Sequence, residues 1–172
     1  MKQNYFLMFL MFFIILGVQL LICNYFYISP YITLSLLPCI ILLLPTRIGT
    51  LPAMLIAFAS GLAVDFLAEG VVGLNALALV PVAASRRFIC NIVFGNEFVS
   101  TGEDVSMMKF GATKLFSALA IGQFIFLFIY IWADGSSVRD WPFILLRFAL
   151  SWLTGVVASL FLANLLDPNE RK

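Results

Sequence analysis

Two carboxylates four residues apart, Asp65 and Glu69, interrupt a long apolar tract in this 172-residue chain. The surrounding stretch, residues 61–79, reads GLAVDFLAEGVVGLNALAL and also carries Gly61, Gly70, Gly73 and Asn75. A carboxylate in lipid is expensive, so it is either paired or functional, and one function is to hold a proton or an ion. A proton relay needs further titratable groups, and none lies nearby in sequence. The chain has no histidine, which removes the commonest general base and metal ligand. Cys23, Cys39 and Cys90 are far apart and form no C-x-x-C. They read as small apolar packing residues rather than as ligands or disulfide partners. No Ser/Lys, Ser/Asp or Cys nucleophile arrangement is present, so no enzyme mechanism can be written. The expectation is a protein that is not an enzyme and holds no metal and no cofactor.

The elements that must position these residues follow from composition. The chain is 63% hydrophobic and 11% charged, with a mean hydropathy of +1.07. A soluble domain has about 45–50% apolar and about 25% charged residues, so the bilayer is the expected solvent. A net charge of +1 says little, because the distribution of charge matters more than its sum; no nucleic-acid partner is expected. The fold class expected is all-α, a polytopic membrane protein forming one transmembrane domain over residues 1–172. Six apolar runs stand out, at about 6–23, 32–44, 51–67, 74–85, 112–132 and 143–166. Five crossings is the alternative if the short second run, with Pro38 inside it and Pro45 closing it, does not cross. That run is expected to be kinked or tilted. Residues 86–111 read as a cytoplasmic loop. It opens with Arg86, Arg87 and a hydrophobic stretch suited to a helix at the membrane surface. Within it, Thr101–Asp104 reads as either a capping signal or a solvated linker. Tyr25, Phe26, Tyr27 and Tyr31 form an expected interfacial belt.

Charge fixes the orientation. With the N-terminus inside, Lys2, Arg47, Arg86, Arg87, Lys109, Lys114, Arg171 and Lys172 fall on the cytoplasmic side. Only Arg139 falls outside, and Arg147 lies within the last run, so the positive-inside rule selects N-in, C-in.

Asp65 lies fourteen residues after Leu51, about 21 Å along the third helix at about 1.5 Å per residue. That places it in the outer leaflet, at the depth where Arg147 enters the sixth helix. An intramembrane ion pair, Asp65 with Arg147, is therefore expected. Asp140 competes for Arg147, and snorkelling of Arg147 to the headgroups is the plainer alternative. Gly70 and Gly73 allow a tight reversal, and Asn75 is placed to cap the fourth helix. Ala57 and Gly61 form a small-xxx-small face suited to helix packing; Ala59 with Ala63, and Gly155 with Ser159, are weaker matches. Arg86 and Arg87 read as topology determinants or, more sharply, as a contact for anionic lipid or a cytoplasmic partner.

The pattern Gly61-Leu62-x-x-Asp65-x-Leu67-x-x-Gly70-x-x-Gly73-Leu74-Asn75-Ala76-Leu77 resembles the central signature of MreD, the rod shape-determining membrane protein family of bacteria. The Pro- and Leu-rich second run, the Pro45-Thr-Arg47-x-Gly49 turn and Arg86-Arg87 fit the same family, over about residues 36–90. The resemblance implies a multipass inner-membrane scaffold of the cell-elongation machinery. It implies direct binding to MreC, within a complex that also holds a class B penicillin-binding protein, the glycan polymerase RodA and the actin-like MreB. It implies support of lateral peptidoglycan synthesis and rod shape, without catalysis. The family also resembles, remotely, the six-helix substrate-binding S-components of energy-coupling-factor vitamin transporters. The alternative function is therefore a substrate-binding transporter subunit, with Asp65, Glu69, Asn75 and Arg147 near an outward-facing pocket. On the scaffold reading the MreC contact is expected at the small-residue face around Ala57 and Gly61.

Overall fold

In lipid the backbone has no partner but itself, so apolar runs of this length must close their own hydrogen bonds as helices. The computed structural model is described over residues 5–25, 32–45, 48–69, 71–95, 111–135 and 140–165. Among these residues it is all-helical: α1 (Tyr5–Tyr25), α2 (Leu37–Leu43), α3 (Thr50–Val64), α4 (Leu74–Phe94), α5 (Ala112–Gly135) and α6 (Trp141–Leu165). A π-helical turn, Asp65–Glu69, prolongs α3. Four stretches are long and apolar enough to cross a membrane: Thr50–Ala68, Leu74–Phe94, Thr113–Asp134 and Trp141–Asn164. Gly70, Arg47, the Thr101–Asp104 capping signal and the aromatics Phe26, Tyr27 and Tyr31 lie outside the described residues.

The second run departs from expectation. Residues 33–36 are not helical, and only Leu37–Leu43 form a helix. Pro38 does not kink a longer helix; it sits in the first turn of α2, where its missing N–H costs nothing. Leu37 to Leu42 are all buried, and α2 touches α1, α3, α4, α5 and α6. It is the central element of the bundle. Its irregular approach is sealed by polar side chains from three helices. The Gln19 amide of α1 donates from Nε2 to the Leu34 carbonyl (3.3 Å) and accepts at Oε1 from the Leu36 N–H (2.8 Å). Ser151 Oγ of α6 accepts from the Thr33 N–H (2.8 Å), and Gln123 Nε2 of α5 donates to the Ser35 carbonyl (3.3 Å). Non-helical backbone at membrane depth is tolerated only when protein satisfies it in this way.

Those contacts also fix direction. Thr33 meets Ser151, and further on Cys39 meets Ser159 (Sγ to the carbonyl, 3.4 Å), so segment 32–44 runs parallel to α6. Its length is notable for thirteen residues. With Leu36 in the helical region and Leu44 extended, eight residues near 1.5 Å and five of at most 3.3 Å each give at most about 28 Å, against a hydrocarbon thickness of about 30 Å.

α4 also extends beyond expectation. The helix does not stop at residue 85 but runs to Phe94, so the segment read as the start of a cytoplasmic loop continues the span. Pro81 lies inside it. Ser85 Oγ, one turn later, donates to the Pro81 and Val82 carbonyls (2.8 and 3.1 Å). Phe126, Leu127, Leu79 and Ile41 are among the fully buried side chains, while Leu55, Phe66, Phe124, Leu153 and Phe161 point outward. A chain that is apolar inside and outside is what a lipid solvent requires.

Candidate functional site

The corner between α3 and α4 gathers the residues on which the sequence argument turned. α3 ends by widening into the π-helical turn at Asp65, a deviation that re-aims side chains in helices. The Asp65 side chain is fully buried and faces the first turn of α4. Oδ2 accepts from the Gly73 N–H (2.9 Å) and the Ala76 N–H (3.3 Å). Oδ1 accepts from the Asn75 N–H and from Asn75 Nδ2, both at 2.9 Å. One carboxylate thus takes four donors. Three of them are backbone groups at a helix start, which otherwise go unsatisfied. A negative charge there is also favoured by the helix dipole.

The cap of α4 is therefore Asp65, delivered from the preceding helix. The expectation that Asn75 caps α4 is corrected: its side chain donates to Asp65 rather than accepting from backbone N–H groups. Gly73 occupies the residue before α4 at φ +99°, a left-handed conformation that a side chain resists. Gly61 supplies the close approach. A Cβ there would lie 2.5 Å from both Ala76 Cα and Ala76 N, and 2.9 Å from the Asn75 carbonyl carbon. Only hydrogen at Gly61 lets α3 pass so near the start of α4.

The expected Asp65–Arg147 pair is corrected too. Arg147 binds Asp134 at the end of α5 through Nη1, and donates from Nε to Thr33 Oγ1 (3.1 Å). Asp65 already has four donors from its own corner, and Asp134 reaches Arg147 from α5. Asp140, the competing partner, is exposed. The polar set Asp65, Asn75 and Arg147 therefore does not converge on one pocket. Asp65 and Asn75 satisfy each other, and Arg147 is engaged elsewhere. The Glu69 side chain lies outside the described residues.

Two further expectations change. Ala57 and Gly61 are buried on α3 and Gly61 lies against Ala76 of α4, so this small-residue face packs helices within the chain and does not stand open where the MreC contact was expected. Arg86 is 4% exposed and donates from Nη2 to the Leu44 carbonyl at the end of α2. It is an internal tie rather than a lipid or partner contact, because that carbonyl ends a short helix and lacks an intrahelical donor. Arg87, its neighbour, is exposed, turned about 100° away around α4.

Sequence reasoning missed Gln19 and Gln123, which hold the irregular segment. The available signal was plain: they are the glutamines inside the predicted spans, and a buried polar side chain in lipid must have a partner. Among the described residues, no group of three or more His, Cys, Asp or Glu side chains could hold a metal ion. No protein-family model matches the chain, and neither a curated protein nor a solved structure matches it.

Proposed function

We propose that this chain is a non-enzymatic scaffold of the bacterial cell-elongation complex, of the MreD type, in the inner (cytoplasmic) membrane. One observation carries the reading. Gly61, Asp65, Gly73 and Asn75, the residues on which the resemblance to that family rests, belong to one corner and are each spent on the chain's own fold. A signature of this kind preserves a shape, which is what a protein acting through its surface needs. In this reading the chain binds MreC directly and sits in one complex with the class B penicillin-binding protein, RodA and MreB. Its outward apolar side chains meet lipid or partner helices.

The proposed topology is six crossings with both termini inside. Support comes from segment 32–44, which can reach at most about 28 Å and runs parallel to α6. The second and sixth crossings of an alternating six-crossing chain must run the same way. An architecture like that of the transporter S-components is compatible with that count. The transporter function itself draws less support, because Asp65, Asn75 and Arg147 are already tied to other groups.

Affinity purification of the tagged full chain from bacterial membranes in mild detergent tests the proposal. MreC is the expected companion. Recovery of a tightly held small molecule in place of MreC would overturn the scaffold reading in favour of the transporter one.

A further inference from the structure

The break before α2 gathers a second polar cluster, independent of the corner. Ser35 on the irregular segment, Gln123 on α5 and Ser159 on α6 are 3%, 0% and 1% exposed. Ser35 Oγ, Gln123 Oε1 and Ser159 Oγ are buried oxygens without a hydrogen-bond partner in the protein. The three residues belong to one connected neighbourhood. The Gln123 amide reaches the Ser35 carbonyl from Nε2 (3.3 Å) and lies against Gly155, where a Cβ would sit 2.3 Å from the same nitrogen. Ser159 follows Gly155 by one turn of α6, and its carbonyl accepts from Cys39 Sγ (3.4 Å). Cys39 in turn lies four residues beyond Ser35.

Three unmatched oxygens in one seam are costly, since each desolvated polar group without a partner destabilises the fold. Their chemistry indicates what would match them. All three are neutral. Among the described carboxylates, Asp65 is committed to the corner and Asp134 to Arg147. A cation at the break would therefore be without a counter-charge, an unfavourable state in a low-dielectric interior. Gln123 Oε1 can only accept, while each serine hydroxyl can both donate and accept. A molecule that donates twice and accepts once completes the set. Water does this, and buried waters make about three hydrogen bonds on average.

We propose that Ser35 Oγ, Gln123 Oε1 and Ser159 Oγ form a binding site for a single internal water molecule, which fastens the irregular segment to α5 and α6. The site does not depend on the scaffold function. The sign of a stability change tests it. For the full chain in detergent or nanodiscs, Ser35→Ala and Ser159→Ala each remove one bridge, and the apparent Tm should fall by about 2–4 °C. A rise in Tm with either variant would mean a dry, unpaired hydroxyl had been removed and would overturn the proposal. Sodium chloride and choline chloride at equal ionic strength should give the same wild-type Tm; a sodium-specific rise would overturn it in favour of a cation site. If the variants do not fold, a high-resolution map of the wild-type chain decides. Solvent density within hydrogen-bond reach of all three oxygens is expected, and a seam without it refutes the proposal.

Discussion

Replacing Gly61 with alanine adds one methyl group where the structure has no room for it. The added Cβ would lie 2.5 Å from Ala76 Cα and N. An ordinary contact begins near 3.4 Å, so α3 and α4 must separate by about 0.9 Å at this point. The obstructing atoms are backbone, so no side-chain rotation absorbs the shift. The same backbone, at Asn75 and Ala76, carries the donors to Asp65 at 2.9 and 3.3 Å. A displacement of that size takes both beyond a useful hydrogen bond. Overpacking costs about 1–3 kcal/mol, and a hydrogen bond to a charged group is worth about 1.5–3 kcal/mol. A loss of about 3 kcal/mol is a conservative total. At about 2–4 °C per kcal/mol for a chain of this size, that is a fall of roughly 6–12 °C. Intrinsic tryptophan fluorescence during heating of the detergent-solubilised protein reads it. Gly17→Ala is the matched control, since nothing lies within 4 Å of its added Cβ. It should be neutral or stabilising by about 0.5–1 kcal/mol, as alanine favours a helix. A Gly61→Ala protein as stable as the control would refute the close approach and the corner built on it.

Other substitutions separate the corner from the rest of the bundle. Exchanging charges in an Asp65→Arg/Arg147→Asp double variant should not restore the stability lost on Asp65→Arg alone. The corresponding Asp134→Arg/Arg147→Asp exchange should recover part of its single-variant loss, about 0.2–1 kcal/mol for a partly exposed pair, as read by a double-mutant cycle. Gln19→Leu strands the Leu34 carbonyl and the Leu36 N–H and should cost about 2–3 kcal/mol in thermal unfolding. Arg86→Ala should lower Tm by several degrees, whereas Arg87→Ala, an exposed position, should leave it within about 0.5 kcal/mol of wild type. Gly155→Ala drives a methyl into the Gln123 amide and should cost about 1–3 kcal/mol; pairing it with Gln123→Ala should give less than the summed loss.

Much of this arrangement was legible in the sequence because lipid leaves few options. Long apolar runs must become helices, and α1, α3, α5 and α6 fall within a few residues of their expected limits. Gly73 at the turn before α4 was readable from glycine chemistry. Partner choice was not. Counting residues puts Asp65 and Arg147 on the same side, and distance along the chain cannot tell a carboxylate whether a guanidinium or a helix start is closer. The π-helical turn decided it by swinging Asp65 over α4, and no residue in DFLAE announces such a turn. The broken second run was hidden for a related reason. Hydropathy treats 32–44 as continuous, whereas the polar atoms that permit the break lie far away in sequence, at Gln19, Gln123 and Ser151. Arg86 and Arg87 differ only in which way α4 turns them, and a one-residue step of about 100° separates an internal tie from an exposed side chain.

The central claim is that Asp65 holds the corner as the cap of α4 rather than as the partner of Arg147. Amide hydrogen exchange at Gly73, Asn75 and Ala76 tests it most directly, comparing the wild-type chain with Asp65→Ala and Arg147→Ala in the same detergent. The account predicts faster exchange at these three amides in Asp65→Ala and wild-type rates in Arg147→Ala. Unchanged protection in Asp65→Ala, or an equal loss in Arg147→Ala, would contradict it.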